Sequence, residues 1–185
     1  TDPRWYRFSG TFGEAPAMAT DMARAYVDGF QTSSPESEIG GGWGYESVNA
    51  MVKHWPGGGA GEGGRDAHYG FGKFAVFPGN NLPMHMRPFT EGAFKLEGGT
   101  GKAAAVMPYY TISTGQDPGG DNVGNAFSHY FITGMLRGEY GYDGVVCTDW
   151  GVTRPDAGMA VFGRTPWGVE ELTVAERHYR ILMAR

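Results

Sequence analysis

Cysteine is nearly absent from this chain: Cys147 is the one example among 185 residues. No internal disulfide can form, and the compartment is left open. Cys147 sits in an apolar run, which makes it a small buried hydrophobe rather than a nucleophile. No apolar stretch approaches the ~20 residues that span a bilayer, so no membrane partner is expected. Blocks of like charge are missing, and a formal net charge of −5 has the wrong sign for a nucleic-acid surface. No Gly-x-Gly-x-x-Gly follows a strand and no Walker lysine occurs, which argues against nucleotide binding. No pair of His, Asp or Glu residues has convincing metal-ligand spacing. No secretory leader opens the chain. It starts Thr1-Asp2-Pro3, and we read it as the middle of something longer.

Glycine, by contrast, is abundant. The 32 glycines exceed twice the usual share of about 7%. They cluster at 40–44, 57–64, 98–101 and 115–124. Because the clusters alternate with strongly periodic segments, they read as long shaped loops on an ordered scaffold. Five tryptophans and ten tyrosines support that reading. Aromatic-rich loops suit a semi-polar ligand such as a carbohydrate, whose apolar ring face packs on an aromatic ring.

Hydrophobic periodicity orders the rest. Pro16 suits a first helical position, and Met18, Met22, Ala25 and Tyr26 recur on one face, predicting a helix over 16–31. Ala50–Trp55 is short and apolar until Lys53 and His54, and Pro56-Gly57 stops it, so it reads as a strand. Residues 57–81 read as one Gly-rich loop. Leu82, Met86, Phe89, Ala93 and Leu96 predict a helix over 82–97. Ala103–Met107 reads as a second strand, ended by Pro108, Tyr109 and Tyr110. Val123, Phe127, Tyr130 and Leu136 predict a helix that stops near Gly138. Residues 144–148 form a third strand, and Leu172, Ala175, Tyr179 and Leu182 mark a last helix. His85, His129 and His178 fall on helices and read as structural or exposed.

Such alternation means parallel strands with right-handed helical crossovers. Polar and aromatic residues recur just past the strands: Lys53 and His54, Tyr109 and Tyr110, Asp149 and Trp150. That is the footprint of a barrel's C-terminal rim. A whole (β/α)8 barrel takes about 250 residues, and three units are visible here. We expect an α/β fold, a partial (β/α)8 TIM barrel with strands missing at both ends, forming one domain over 1–185.

The segment Gly141–Trp150 is the most informative. Gly141 and Gly144 punctuate a turn, and Val145, Val146 and Cys147 suit a strand buried on both faces. Asp149 and Trp150 then stand where parallel strands end and ligands bind. The plainer alternatives are an N-cap for Asp149 and a core position for Trp150.

Four segments in order resemble glycoside hydrolase family 3. Asp2-Pro3-Arg4-Trp5-Tyr6-Arg7, with Thr11-Phe12-Gly13-Glu14, is similar to the family's Asp-Pro-Arg-Trp-Gly-Arg and Thr-Phe-Gly-Glu-Asp-Pro. Lys53-His54-Trp55-Pro56-Gly57 is similar to Lys-His-Phe-Pro-Gly. Val106-Met107-Pro108-Tyr109-Tyr110 is similar to Val-Met-x-x-Tyr. Leu136-Arg137 through Asp149-Trp150 is similar to Leu-Arg-x-x-x-Gly-Phe-Asp-Gly-Val-Val-x-Ser-Asp-Trp.

The resemblance implies a retaining β-glycosidase acting on terminal β-linked glucosides or related oligosaccharides. Asp149 matches its nucleophile and Trp150 the aromatic beside the sugar. Arg7, Lys53 and His54 match groups that hydrogen-bond the sugar's hydroxyls, and Tyr110 the tyrosine near the nucleophile. No cofactor is implied. In β-glucosidase-like members the acid/base glutamate lies in a second domain, so it is expected outside this chain, and the isolated 185 residues are expected to be inactive. Tyr6 departs from the usual Gly, Ala15 from Asp and Thr148 from Ser.

Two alternatives stay open. In the family's β-N-acetylhexosaminidases an Asp-x-His pair in the loop after Lys-His serves as acid/base, and Asp66-Ala67-His68 occupies that loop here. Its plain counterpart is loop ordering by Arg65 and Asp66. The chain could also be a non-catalytic carbohydrate-binding fragment. For Arg7 the plain alternative is a surface ion pair with Glu14, and Tyr109 competes with Tyr110.

Overall fold

The computed structural model describes residues 1–37, 39–154 and 166–185. Its frame is a parallel three-stranded sheet whose strands are neighbours in chain order. The strands are β1 (Met51–Trp55), β3 (Ala105–Pro108) and β5 (Val145–Val146). Met51 pairs with Ala105 and Ala105 with Val145, so the strand starts are level. The β1–β3 register slips between Lys53 and Trp55, at the end where the polar residues sit. Helical segments connect successive strands. The fold is therefore α/β with parallel strands and helical crossovers, a partial barrel of the TIM type.

The segment 57–81 is not one loop. It holds β2 (Phe74–Ala75), which pairs in parallel with β4 (Ile112–Ser113) as a second small sheet. Two residues per strand are too few to leave a periodic signature. The glycines before it make tight turns. A Cβ on Gly72 would lie 2.0 Å from the Asp66 carbonyl oxygen, so the chain folds back on itself where only glycine fits.

Helix α1 (Pro16–Gln31) has the expected bounds, but its buried face is a different one. Thr20, Ala23, Val27 and Gln31 are buried, whereas Met18, Met22 and Tyr26 are exposed. The cause is a close crossing: a Cβ on Gly92 would meet the Thr20 carbonyl oxygen at 2.6 Å, and only a stripe of small residues admits that approach. Tyr26 and Phe30 instead line a groove of about 1130 Å³.

The helix expected over 82–97 divides. Helix α2 (Leu82–Arg87) passes into a wider π turn over Pro88–Ala93. Pro88 lacks the N–H that would continue the α ladder, and the Phe94 N–H reaches back five residues to the Phe89 carbonyl at 2.8 Å. The third helix is shorter than the span from Val123: Asn125–Phe127 is a single 3-10 turn, and a π helix covers Tyr130–Glu139. Helix α3 (Val174–Met183) opens with a capping box between Thr173 and Glu176. It buries Arg177 and Ile181, while Tyr179 and Leu182 are exposed.

One apolar cluster, including Trp55, Val106, Phe131, Leu136 and Val146, packs under the three-stranded sheet. A second, including Trp5, Tyr109, Ile112, Phe127 and Trp167, fills the space beyond the strand ends. Val145, expected to be buried, is 62% exposed, because β5 is an edge strand and Val145 and Val146 face opposite ways. Among the described residues no helix is long and apolar enough to cross a membrane.

Candidate active site

The sheet brings together residues that are far apart in sequence. β1 delivers Lys53 and His54, the turn after β3 delivers Tyr110, and the segment after β5 delivers Asp149 and Trp150. All five, with Arg7 from the N-terminal segment and His68 from the Gly-rich loop, line one cavity of about 230 Å³. The six site residues of the leading sequence reading line this space, and so does the His68 of the alternative; Asp66 and Tyr109 do not.

Asp149 is 5% exposed. Its Oδ1 accepts the backbone N–H of Trp150 at 2.7 Å. That local bond aims the carboxylate and leaves Oδ2 buried with no hydrogen-bond partner among the described residues. His54 Nε2 lies 3.4 Å from this oxygen, and both side chains are buried, but the angles are not those of a hydrogen bond. Burial drives the His54 pKa well below its ordinary value, and the charges of Lys53, Arg7 and His68 push the same way. The imidazole is therefore neutral, and the contact is not an ion pair.

Arg7 forms no ion pair with Glu14 among the described residues. Its guanidinium carbon sits 5.3 Å from the centre of the Trp5 ring, and Nη1 is buried without a partner among the described residues. Among the described residues the cavity wall therefore carries an unpartnered carboxylate oxygen and an unpartnered guanidinium nitrogen, whereas buried polar groups in native proteins are ordinarily paired.

Trp150 is 72% exposed and is not core; its indole is free to take a ring against its face. Tyr110 is buried, and its hydroxyl donates to the Trp150 carbonyl at 2.6 Å. It thus ties the rim after β3 to the rim after β5. Tyr109 turns the other way and packs on the His54 ring at 4.2 Å between centres. Gly58 permits this arrangement: a Cβ there would lie 2.7 Å from His54 Cβ and 3.2 Å from the Tyr109 ring.

Asp66 is 3% exposed. Its Oδ1 accepts the His68 backbone N–H at 2.9 Å and the His68 Nδ1–H at 2.5 Å. Its Oδ2 accepts the Trp5 indole N–H at 2.6 Å and the Tyr109 hydroxyl at 3.3 Å. Burial alone would raise the carboxyl pKa. The bonds from His68 and Trp5 outweigh it and hold the group at about 2. An ionised Asp66 keeps the ring proton on Nδ1 and leaves Nε2 as the group that can exchange one. Arg65 takes no part in this network; it lies 3.8 Å from Glu62. The contributions of Trp5 and Gly58 were not evident from the sequence, although Trp5 stands two residues before Arg7 in the first segment; Tyr109, which competed with Tyr110 there, packs behind His54 instead. No group of three or more His, Cys, Asp or Glu residues could hold a metal among the described residues.

A parallel α/β barrel segment thus gathers a buried carboxylate, two imidazoles and two cations around one cavity at the C-terminal ends of its strands. Residues 1–160 match the family model described as the glycosyl hydrolase family 3 N-terminal domain, and the chain belongs to that family. It is 40% identical over 197 residues to a periplasmic beta-glucosidase/beta-xylosidase of Dickeya chrysanthemi. It is also 40% identical over 185 residues to beta-glucosidase C of Emericella nidulans. All of this chain is covered in both matches, yet it spans 28% of the length of each relative. Among solved structures, a fungal multi-domain family 3 beta-N-acetylglucosaminidase superposes with a TM-score of 0.65 at 21% identity, covering 94% of this chain and 17% of that one. A beta-glucosidase from Listeria innocua superposes with a TM-score of 0.58 at 22% identity, covering 99% and 27%. These two share the fold.

Proposed function

We propose that residues 1–185 form part of the catalytic domain of a retaining β-glycosidase that removes terminal β-linked glucose or a related sugar, with Asp149 as nucleophile. The observation that carries this is the buried Oδ2 of Asp149, unpartnered among the described residues, in a cavity shared with Arg7, Lys53, His54, Tyr110 and Trp150. The names of the relatives from Dickeya and Emericella support the substrate class.

In this reading Asp149 attacks the anomeric carbon, and the bond to the departing oxygen breaks as that oxygen takes a proton. Water then attacks the glycosyl-enzyme, gives up a proton to the same acid/base, and releases Asp149. Arg7, Lys53 and the neutral His54 donate to sugar hydroxyls, and Trp150 supplies the apolar platform. The acid/base is either a carboxylic acid outside this chain or His68. One observation favours His68: held through Nδ1 by Asp66, it lines the same small cavity as Asp149.

The test is covalent trapping. A 2-deoxy-2-fluoro β-glucoside with a reactive leaving group, incubated with the full-length protein, labels the peptide containing Asp149, as read by mass spectrometry. Label on any other residue rejects the nucleophile assignment. A protein that binds glucosides and is never labelled or turned over is a binding module instead.

A further inference from the structure

A carboxylate held through one oxygen can still rotate about its Cβ–Cγ bond, because that torsion is broad. Asp66 is held through both. His68 occupies Oδ1 twice, while Trp5 and Tyr109 occupy Oδ2. The three partners come from three separate places: the N-terminal segment, the Gly-rich loop, and the turn after β3. Trp5 and Tyr109 are themselves packed edge to face at 6.4 Å, and both are buried. An indole N–H is donor only, so its bond to Oδ2 has one possible direction.

We propose that Trp5, assisted by Tyr109, is a positioning residue for the Asp66–His68 pair. Its indole N–H locks the plane of the Asp66 carboxylate, and the carboxylate fixes the tautomer and orientation of His68. This rests on reading His68 as the acid/base. Proton transfer to a departing oxygen demands a close, aligned donor. The residue that sets the carboxylate plane therefore sets the transfer, although it never touches substrate. Trp5 also underlies Arg7, so a substitution that removes its ring would disturb a second group. The informative change removes the N–H alone.

The experiment uses the full-length protein with 3-benzothienylalanine at position 5, which keeps the bicyclic ring and replaces N–H by sulfur. Tyr109→Phe and His68→Ala are measured beside it. The substrates are phenyl β-glucoside, whose leaving group needs a proton, and 2,4-dinitrophenyl β-glucoside, whose leaving group does not. For the position-5 analogue, kcat/KM on the phenyl glucoside falls about 10-fold, the scale of one hydrogen bond to a charged group. On the dinitrophenyl glucoside it changes by less than about 2-fold, since acid assistance is not required there. Tyr109→Phe shows the same pattern more weakly, in keeping with its longer bond. His68→Ala shows it strongly, with a loss of about 100-fold or more on the phenyl glucoside. Equal losses on both substrates, or no loss on either, overturn the positioning role of Trp5 while leaving His68 in place. A His68→Ala protein with no leaving-group discrimination removes His68 as the acid/base, and the role of Trp5 falls with it.

Discussion

His54 Nε2 stands 3.4 Å from Asp149 Oδ2 with both side chains buried, and the imidazole is neutral. Since burial depresses its pKa in the folded state, the unfolded chain binds a proton that the folded one refuses once pH drops below about 6.5, the ordinary histidine value. Stability is therefore full above that pH and declines as pH falls from about 6.5 toward the folded-state pKa. Thermal denaturation of the full-length protein between pH 5 and 7.5 is expected to show this decline, and His54→Asn to flatten it. An unchanged slope in the variant would assign the acid sensitivity to other groups.

Asp149 itself is expected to trade stability for function. A buried polar atom without a partner costs about 1–3 kcal/mol, and a carboxylate is costlier to bury than a neutral amide. Asp149→Asn should hold or raise the midpoint of thermal unfolding while reducing turnover of an aryl β-glucoside by about 1000-fold or more, as expected for loss of a nucleophile. A clear drop in the midpoint would mean that Oδ2 is satisfied in solution.

Gly58 tests the packing behind the site. A Cβ there collides with His54 and crowds Tyr109, neither of which can retreat without moving a cavity wall. Gly58→Ala should lower kcat/KM about 10-fold or more through displaced contacts. Retained activity would show that the loop relaxes around the methyl group.

Gln31 tests the opposite end of the sheet. It is fully buried. Its Oε1 accepts the backbone N–H groups of Ala50 at 3.2 Å and Ala104 at 2.8 Å, at the entrances to β1 and β3. Its Nε2 donates to Thr100 Oγ1 and to the Lys102 carbonyl. Gln31→Leu preserves bulk and orphans these groups, at a cost of about 3 kcal/mol or more. Urea denaturation should show that loss with the catalytic rate of the folded fraction unchanged. A simultaneous fall in rate would mean that strand placement reaches the rim.

Much of this site is legible in the chain. Asp149-Trp150, Lys53-His54 and Tyr109-Tyr110 follow short apolar runs, and parallel strands of one sheet carry all such tails to the same edge. Order and type of the main elements follow from periodicity for the same reason. The face of α1 does not. Met18, Met22 and Tyr26 make as good a helical stripe as Thr20, Ala23 and Val27, and the close crossing at Gly92 selects the second.

The residues alone determined the alternation of helices and strands, the rim positions of the polar pairs and the family resemblance, because each is written in local spacing. Tertiary structure decided that the Trp5 indole meets Asp66, 61 residues on, that Asp149 Oδ2 is left unpartnered among the described residues, and that Val145 is exposed. These depend on which surfaces meet across long sequence separations, and pattern along a chain carries no record of that meeting.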